Sequence, residues 1–446
     1  MTGAYSRQPE SKKAGQPKRL TKKTWIVLVM VLGLVATGCS SNDDAPVTAP
    51  APEPTAAPEA EPTAAPAPTP EPTAAPTPEP IPEPTPAPTA APAPTAAPAP
   101  EPTPEPTPEL TPEPLVALNE FGAFPVGVRT LELGEEPGEQ PLSVWYPTDS
   151  DAVAGMETEI YDSAQAIPAA FRSLIPESMQ SAIETNSYRD APLADGGPYP
   201  VVIYSHGFGG HRDVAIFLTT HLASHGFVVA SAEHIHRNLP AQAFGTAESN
   251  PEKDQADVAN TLAALESALG NAVDTARVGV IGHSAGARTA MGALANESVL
   301  AAIPLAGGGA VPPEGADKPI LVIVAELDIT VPTARSLESY ESAPGPKTFV
   351  NLAQAGHNSF TDSCPVILAG GGLGMLEPLL GAEQVARAED GCTPENAHPL
   401  AMQAALKHLT TAFFLANLTD RLDVGVTPEF ADLIDGVDLA DYREGG

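Results

Sequence analysis

The chain has 446 residues, including 52 prolines and 3 cysteines, and carries a formal net charge of −34 at pH 7. A chain this acidic is not expected to bind nucleic acid through the phosphates, because that recognition depends on Lys and Arg. Anionic lipid surfaces should repel it as well, so charge is not expected to hold it at a membrane.

Residues 1–38 are predicted to be a lipoprotein signal peptide. A basic segment precedes an apolar run at 25–37, which is shorter than the roughly 20 apolar residues that span a bilayer. Small residues stand directly before Cys39, as in a bacterial lipobox, which implies cleavage before Cys39 and acylation of that cysteine. The chain would then be exported and lipid-anchored at the bacterial cell envelope. The alternative is an ordinary signal peptide or an uncleaved anchor with an incidental cysteine.

Residues 39–114 are predicted to be a disordered linker rich in Pro, Ala, Thr and Glu, with Thr-Ala-Ala-Pro and Glu-Pro-Thr-Pro recurring. Proline lacks the amide donor and fixes φ, so we expect an extended polyproline-II stalk rather than a helix or a sheet. Such a stalk would hold the following domain away from the membrane, which is compatible with plain disorder. The sequence leaves glycosylation of the threonines open.

Residues 115–446 are predicted to form one α/β catalytic domain, long enough to bury a sizeable core. Two antiparallel strands are expected first, and residues 151–198 are expected to be an irregular insertion, with a short helix at 167–175, that forms part of a cap or pocket wall. An alternation of apolar strands and helices follows. Because the apolar runs are continuous rather than alternating, they predict a mostly parallel sheet covered by helices on both faces. The predicted strands cover 126–133, 142–147, 199–205, 227–232, 278–281, 300–305, 320–324 and 348–352, and the helices cover 213–225, 254–269, 288–296 and 398–422.

The strongest motif is Gly-His-Ser-Ala-Gly at 282–286, which directly follows an apolar strand and precedes a predicted helix. This is the setting of a nucleophile elbow, in which a strained turn lifts a serine out and small flanking residues let the helix pass close to the strand. Ser284 is therefore the predicted nucleophile, and the backbone N–H of Ala285 is a predicted oxyanion donor. The alternative is a chance pentapeptide in a glycine-rich chain.

A second glycine-rich loop, Ser-His-Gly-Phe-Gly-Gly at 205–210, follows a predicted strand two strands before the elbow strand. Glycine lets the backbone approach a substrate carbonyl closely, so the N–H of Phe208 is predicted to be the second oxyanion donor. A glycine-rich turn without a ligand is the alternative.

The acid and the base are expected after the serine. Asp328 stands at the carboxyl end of a buried strand, where sites gather in open α/β sheets, and it would orient the imidazole; Glu326, two residues earlier, is the rival. His357 lies in a loop after the last predicted strand and is the predicted base. His206 and His283 adjoin the key groups, but neither has the base's place after the final strand.

Cys364 and Cys392 are expected to form a disulfide, because the domain is predicted to be exported. The closed loop would stabilise the fold by about 3–4 kcal/mol. Two free buried thiols are the alternative. No cofactor or metal is expected, since the Cys and His residues do not have the spacing of a structural zinc site.

Several motifs occur in one order: Leu-Ser-Val-Trp-Tyr-Pro at 142–147, the loop with Phe208, Ser-Ala-Glu-His at 231–234, the elbow, and His-Asn-Ser-Phe-Thr-Asp-Ser-Cys at 357–364. Together they resemble the platelet-activating-factor acetylhydrolase-like branch of the α/β-hydrolases, whose bacterial members are often labelled predicted dienelactone hydrolases. The resemblance covers most of residues 120–420.

The resemblance implies an α/β-hydrolase fold and a calcium-independent serine esterase acting on short or oxidised acyl chains. It implies Ser284, Asp328 and His357 as a catalytic triad, with Phe208 and Ala285 as oxyanion donors. Ala287 departs from the usual second glycine after the elbow, which affects helix packing and not the chemistry. True dienelactone hydrolases use a cysteine nucleophile, so that substrate is not carried over.

The sequence thus predicts a serine carboxylic-ester hydrolase that forms an acyl-enzyme and acts on short-chain, phospholipid-type or related small-molecule or lipid esters. The alternatives are a cutinase-like polyester hydrolase, an acyltransferase or peptidase using the same triad, and a non-catalytic binding lipoprotein on a hydrolase scaffold. The acyl length, the alcohol and the oligomeric state stay open.

Overall fold

The computed structural model describes residues 116–134, 139–166, 172, 182–421 and 425–446. The predicted signal peptide, Cys39, the proline-rich linker and all of the predicted helix at 167–175 except Arg172 lie outside these residues. Within the part of the chain that is described, no helix is long and apolar enough to cross a membrane.

A ten-stranded sheet lies at the centre of the described domain. Its strands are β1 (Val126–Glu132), β2 (Pro141–Pro147), β5 (Ser187–Arg189), β6 (Tyr199–Ser205), β7 (Val228–Ala232), β8 (Val273–His283), β9 (Val299–Leu305), β10 (Ile320–Ala325), β11 (Lys347–Leu352) and β12 (Leu439–Gly445). Their order across the sheet is β12-β11-β10-β9-β8-β6-β7-β2-β1-β5. A separate two-stranded sheet pairs β3 (Ile160–Asp162) with β4 (Ala182–Glu184).

Strands β7, β6, β8, β9, β10 and β11 run parallel to one another. The antiparallel strands β2 and β12 flank this block, β1 pairs antiparallel with β2, and β5 pairs parallel with β1 at the far edge. The six parallel strands therefore end at one edge of the sheet, which is where ligands bind in open α/β sheets.

The helices of the described residues connect these strands. They are α1 (Ile216–Ser224), α2 (Leu239–Ala243), α3 (Pro251–Leu269), α4 (Ala285–Ala293), α5 (Thr333–Ser342), α6 (Ser363–Ala369), α7 (Glu377–Leu380), α8 (Ala382–Ala388) and α9 (Pro399–Leu418). The buried residues of α1 and α9 belong to one hydrophobic cluster, and those of α3, α4 and α5 to another.

Successive residues of β6 belong to different clusters: Val202 and Tyr204 pack with α1 and α9, whereas Val201 and Ile203 pack with α3 and α4. Since strand side chains alternate between faces, the sheet is buried on both sides. This explains the continuous apolar runs in the sequence. The prediction of a mostly parallel sheet covered by helices on both faces is confirmed.

Helix α3 illustrates how the sequence sets a boundary. The Asn250 side chain caps the helix by accepting a hydrogen bond from the N–H of Lys253 at 3.1 Å. Pro251 occupies the first turn, where its missing N–H leaves no bond unmade. The helix ends at Gly270, whose φ is 53°, a left-handed conformation that glycine adopts without strain.

The structure differs from the sequence-based prediction in the short elements. Residues 151–198 were expected to be irregular, yet they contain β3, β4 and β5, and β5 joins the main sheet. These strands have three residues each, too few for a period of two to be recognised. Helix α4 begins at Ala285, directly after Ser284, rather than at residue 288.

We expect Phe414→Ala to lower the free energy of unfolding by about 3–5 kcal/mol, because truncating a buried aromatic side chain leaves a cavity. Phe414 is fully buried, and a side chain on Gly279 of β8 would overlap its ring. Leu400→Ala on the same helix is the control: Leu400 is 61 % exposed, and its loss should change stability by less than about 0.5 kcal/mol. Urea unfolding followed by circular dichroism measures both; equal losses would contradict the prediction.

Candidate active site

Ser284 lies at the turn between β8 and α4. Its φ of 56° and ψ of −116° place it in a left-handed conformation that is strained for a residue with a side chain and typical of a nucleophile elbow. The flanking glycines permit this turn: a Cβ on Gly282 would overlap the carbonyl of Gly286, and a Cβ on Gly286 would overlap the carbonyl of Ser205. The turn therefore requires residues without side chains on both sides of the serine.

The glycine-rich loop after β6 lies against this elbow. A Cβ on Gly207 would be 3.1 Å from the Cβ of Ser284, so the loop backbone contacts the predicted nucleophile. The N–H of Gly210 donates to the carbonyl of Gly207 at 3.1 Å and closes the loop. Phe208 directly follows Gly207, and Ala285 directly follows Ser284, so both residues are next to this contact between the loop and the elbow. Their roles as oxyanion donors stay predictions.

His357 and Asp328 form a buried pair. His357 Nδ1 lies 2.8 Å from Asp328 Oδ2, and the two residues are 6 % and 8 % exposed. The other carboxylate oxygen of Asp328 accepts the N–H groups of Thr330 and Val331 at 2.9 and 2.6 Å. The backbone of its own turn thus holds one carboxylate oxygen of Asp328, and the other oxygen faces the imidazole. Because a carboxylate only accepts, Nδ1 of His357 carries the proton.

Glu326, the rival acid, is placed differently. It is exposed, and its carboxylate accepts the N–H of Gln354 at 2.9 Å. Of the two candidate carboxylates, the structure pairs Asp328 with the imidazole. The two-residue strand period that made Glu326 a rival does not apply, because β10 ends at Ala325 and both acids lie in the turn beyond it.

The topology brings these residues together. Ser284, Asp328 and His357 follow β8, β10 and β11, whose carboxyl ends share one edge of the sheet. His283, next to Ser284, contacts His357: its Nε2 lies 3.0 Å from the carbonyl oxygen of His357, and the two rings are 4.8 Å apart between centroids. Burial, followed by the charge of His357, lowers the pKa of His283 to about 3, so His283 packs the site as a neutral ring.

A buried arginine supports the glycine-rich loop from behind. Arg237 is fully buried, and its Nε donates to Asp254 at 2.7 Å while Nη2 donates to Ser205 Oγ at 3.0 Å. Its Nη1 donates to the carbonyl of His206, and its own carbonyl accepts the N–H of Gly209 at 2.7 Å. Breaking such a buried ion pair typically costs about 3–5 kcal/mol, so the loop rests on a rigid support.

His234 extends this support. Its Nε2 lies 2.9 Å from Ser205 Oγ and its Nδ1 lies 2.6 Å from a carboxylate oxygen of Asp257. Burial, above all, lowers the pKa of His234 well below the usual value. The Ser-Ala-Glu-His motif hinted at His234, but the sequence contains no local signal for Arg237, because its partners lie 17 to 52 residues away.

A disulfide and a buried acid that the sequence did not single out lie beside the turn of His357. The structure joins Cys364 and Cys392, with their Cα atoms 4.6 Å apart. Asp390, two residues before Cys392, is 5 % exposed and accepts the backbone N–H of His357 at 3.1 Å. Asp390 lies 33 residues from its partner, which is too far for a motif to reveal it.

A cleft of about 210 Å³ opens beside the glycine-rich loop. Residues of the 151–198 stretch form part of its wall. Its lining residues are Glu139, Pro141, Tyr161, Gln165, Ala166, Arg172, His211, Arg212, Asp213, Glu233, Ile235, Asn238 and Pro240. Neither Ser284 nor His357 is among them, so this cleft adjoins the loop rather than the nucleophile.

The site therefore offers a serine on a strained turn, an imidazole oriented by a carboxylate, and backbone amides beside them. These are the groups of nucleophilic acyl transfer. Within the residues that the structure describes, no group of three or more His, Cys, Asp or Glu side chains is arranged to hold a metal ion.

The elbow and the sheet define an α/β-hydrolase fold. A family model described as "Platelet-activating factor acetylhydrolase, isoform II" matches residues 119–266. The chain is 29 % identical over 119 residues to a platelet-activating factor acetylhydrolase of Cavia porcellus, covering 25 % of this chain and 27 % of that protein. It is 27 % identical over 144 residues to the enzyme of that name from Gallus gallus, covering 30 % and 34 %.

The matched part thus spans about a third or less of these curated relatives. A ferulic acid esterase from Streptomyces cinnamoneus has a similar structure, with a TM-score of 0.51 and 20 % identity over 71 % of this chain and 97 % of that chain, which establishes the fold. The resemblance to platelet-activating-factor acetylhydrolase-like α/β-hydrolases is confirmed. Because the family match ends before Ser284, the roles of the site residues stay predictions.

Asp362, five residues after His357, binds the start of α1. Its Oδ2 accepts the N–H of Ile216 at 2.6 Å, and its own N–H donates to the carbonyl of Val214 at 2.9 Å. Burial raises the pKa of Asp362 to about 7, against the lowering effect of the backbone N–H groups of Ile216 and Phe217. In the unfolded chain the same carboxyl titrates near 4.

We expect Asp362→Asn to become more stable relative to wild type as the pH rises from about 4 to 7. Between those values the folded wild-type chain keeps a proton that the unfolded chain has released, so its free energy of unfolding falls with pH. The amide does not titrate. The difference between the free energies of unfolding of the two proteins should grow by a few kcal/mol over this range, because one unit of pKa corresponds to about 1.4 kcal/mol. Urea unfolding at pH 4.5, 6 and 8 measures this difference. The histidines titrate alike in both proteins and cancel in the comparison. A difference in free energy of unfolding that does not change with pH would refute the prediction.

Proposed function

We propose that the chain is a serine carboxylic-ester hydrolase with Ser284 as the nucleophile, His357 as the general base and Asp328 as the residue that orients the base. The observation that carries this proposal is the buried pair of His357 and Asp328, 2.8 Å apart, on the turns that follow β10 and β11. The strained turn that bears Ser284 lies at the same edge of the sheet.

In this reaction Ser284 Oγ attacks the carbonyl carbon of the ester while His357 Nε2 accepts the hydroxyl proton. Asp328 accepts the Nδ1–H of His357 and stabilises the imidazolium that forms. The backbone N–H groups of Phe208 and Ala285 receive the oxyanion, and each could contribute about 3 kcal/mol to the transition state.

Collapse of the tetrahedral intermediate breaks the ester C–O bond, and His357 returns the proton to the departing alcohol. The acyl group then remains on Ser284. Water, deprotonated by His357, attacks the acyl-enzyme and releases the carboxylic acid and the free serine. Water as the acceptor distinguishes this hydrolase from an acyltransferase.

The relatives support the proposed substrate class. Those matched at residues 119–266 are named platelet-activating factor acetylhydrolases, and the structural neighbour is named a ferulic acid esterase. Both names describe hydrolysis of an ester bond. Short-chain, phospholipid-type or related esters are therefore the proposed substrates, and a cutinase-like preference for polyesters is the rival within the same chemistry.

The purified full chain is expected to hydrolyse p-nitrophenyl esters, and Ser284→Ala is expected to lower kcat by about 10⁶-fold, as loss of a nucleophile does in other triads. The release of p-nitrophenol, measured from acetate to palmitate, gives the rate and the preferred acyl length. EDTA should leave the rate unchanged.

The matched control is a pair of acid-to-amide changes. Asp328→Asn should lower kcat by about 10⁴-fold, because the amide favours the wrong imidazole tautomer, whereas Glu326→Gln should retain the activity. No hydrolysis by a folded wild-type chain, or a rate that survives Ser284→Ala, would refute the proposed mechanism.

We also propose that Cys39 is lipid-acylated and anchors the chain at the bacterial cell envelope, with residues 40–114 as a spacer. The support is the apolar run at 25–37 and the small residues before Cys39. Cells grown with a clickable fatty acid should label the wild-type chain and not Cys39→Ser. Equal labelling of the two chains would refute acylation at Cys39 and leave the esterase proposal unaffected.

A further inference from the structure

One carboxylate joins the two turns that carry the acid and the base. Asp390 Oδ1 accepts the backbone N–H of His357 at 3.1 Å. Asp390 Oδ2 accepts the N–H groups of Ile329 and Thr330, each at 3.0 Å, and the hydroxyl of Thr330 at 2.8 Å. Residues 329 and 330 directly follow Asp328, so Asp390 contacts both partners of the proposed acid–base pair through their neighbouring backbone.

The backbone around Asp390 reinforces this contact. The N–H of Asn358 donates to the carbonyl of Asp390 at 2.8 Å, and the side chain of Asn358 donates to the carbonyls of Arg387 and Ala388 at 3.2 Å. Ser359 Oγ donates to the carbonyl of Gly391 at 3.2 Å. Residues 387–391 therefore bind the turn of His357 at several points.

The donors around residue 390 require a side chain with two acceptor oxygens. Burial, and after it the charge of Asp328, raises the pKa of Asp390, so a carboxylate here is unfavourable unless it is well satisfied. Three N–H groups and one hydroxyl satisfy it. An amide of the same shape has one acceptor oxygen, and its NH₂ would face donors on one of the two turns.

The disulfide secures the same contact from outside. Cys364 lies in α6, just beyond the turn of His357, and Cys392 follows Asp390 by two residues. The cross-link therefore attaches the segment of Asp390 to the segment of the base. Neither cysteine is itself placed at the acid or the base.

We propose that Asp390 is a positioning residue that fixes the distance and angle between the turns of Asp328 and His357; this proposal rests on the proposed hydrolase function. The Cys364–Cys392 disulfide keeps the segment of Asp390 in place. Asp390 does not itself touch the substrate or exchange a proton; it acts through the distance and angle between the two residues that do.

The test compares Asp390→Asn with Glu389→Gln in the full chain, with the p-nitrophenyl ester that the wild type hydrolyses best. Glu389 is the adjacent acid, and it accepts the N–H of Leu373 rather than a donor from either turn. Asp390→Asn should lower kcat by about 100-fold, the size of effect that follows from a misplaced reacting group, with KM unchanged because ground-state binding is not involved. Glu389→Gln should match the wild type.

A second measurement reads the geometry without a substrate. The proton on Nδ1 of His357, which donates to Asp328, should give a far-downfield proton NMR signal in the wild type and in Glu389→Gln. Asp390→Asn should weaken or shift that signal while its far-ultraviolet circular dichroism stays native. An unchanged signal, or an unchanged kcat, in folded Asp390→Asn would overturn the proposal.

Two milder variants keep the proposal testable if Asp390→Asn does not fold. Thr330→Val removes one of the donors to Asp390 and should lower kcat several-fold, with KM unchanged; wild-type kcat would count against Asp390. The double change Cys364→Ser and Cys392→Ser should also lower kcat, by less than Asp390→Asn. If the wild type hydrolyses no ester, the proposed function fails, and the NMR comparison alone decides the role of Asp390.

Discussion

The site depends on how closely α4 passes over the ends of β6 and β8. The space there is so small that neither Gly282 nor Gly286 could carry a Cβ. This approach forces Ser284 into a left-handed conformation that it would not adopt alone, and it brings the glycine-rich loop at Gly207 against the serine. Strain at one residue is thus maintained by the packing of a whole helix on the sheet.

Buried charge is the second constraint, and the structure satisfies it with many hydrogen-bond donors of the protein. Arg237 and Asp254 are paired behind the glycine-rich loop, and Asp328 and Asp390 accept several backbone N–H groups each. Because a buried charge without partners is very unfavourable, these groups restrict the loops to the conformations that supply the partners. The loops of the site are consequently held by polar contacts, while the faces of the sheet beneath them are buried by apolar side chains.

The sequence predicted those features whose signal is local. The long buried strands, the elbow at Ser284 and the glycine-rich loop each occupy a short window, and their positions in the structure agree, except that β8 begins at Val273 rather than at residue 278. The three-residue strands and β12 were missed because their identity comes from pairing with distant segments, as when Val126 aligns with Ser187. Arg237 and Asp390 were missed for the same reason: their meaning lies in partners that only the folded chain brings near.

The distance in sequence between Asp390 and its partners also orders events in time. A chain is synthesised from its N-terminus, and segments can begin to fold as they emerge. The strands that support Ser284 and the glycine-rich loop are complete by residue 305, so the turn of Ser284 can form early. The turns of Asp328 and His357 acquire their common contact with Asp390 only once residue 390 has been made. The turn of Ser284 can therefore form before the contacts that join the turns of Asp328 and His357.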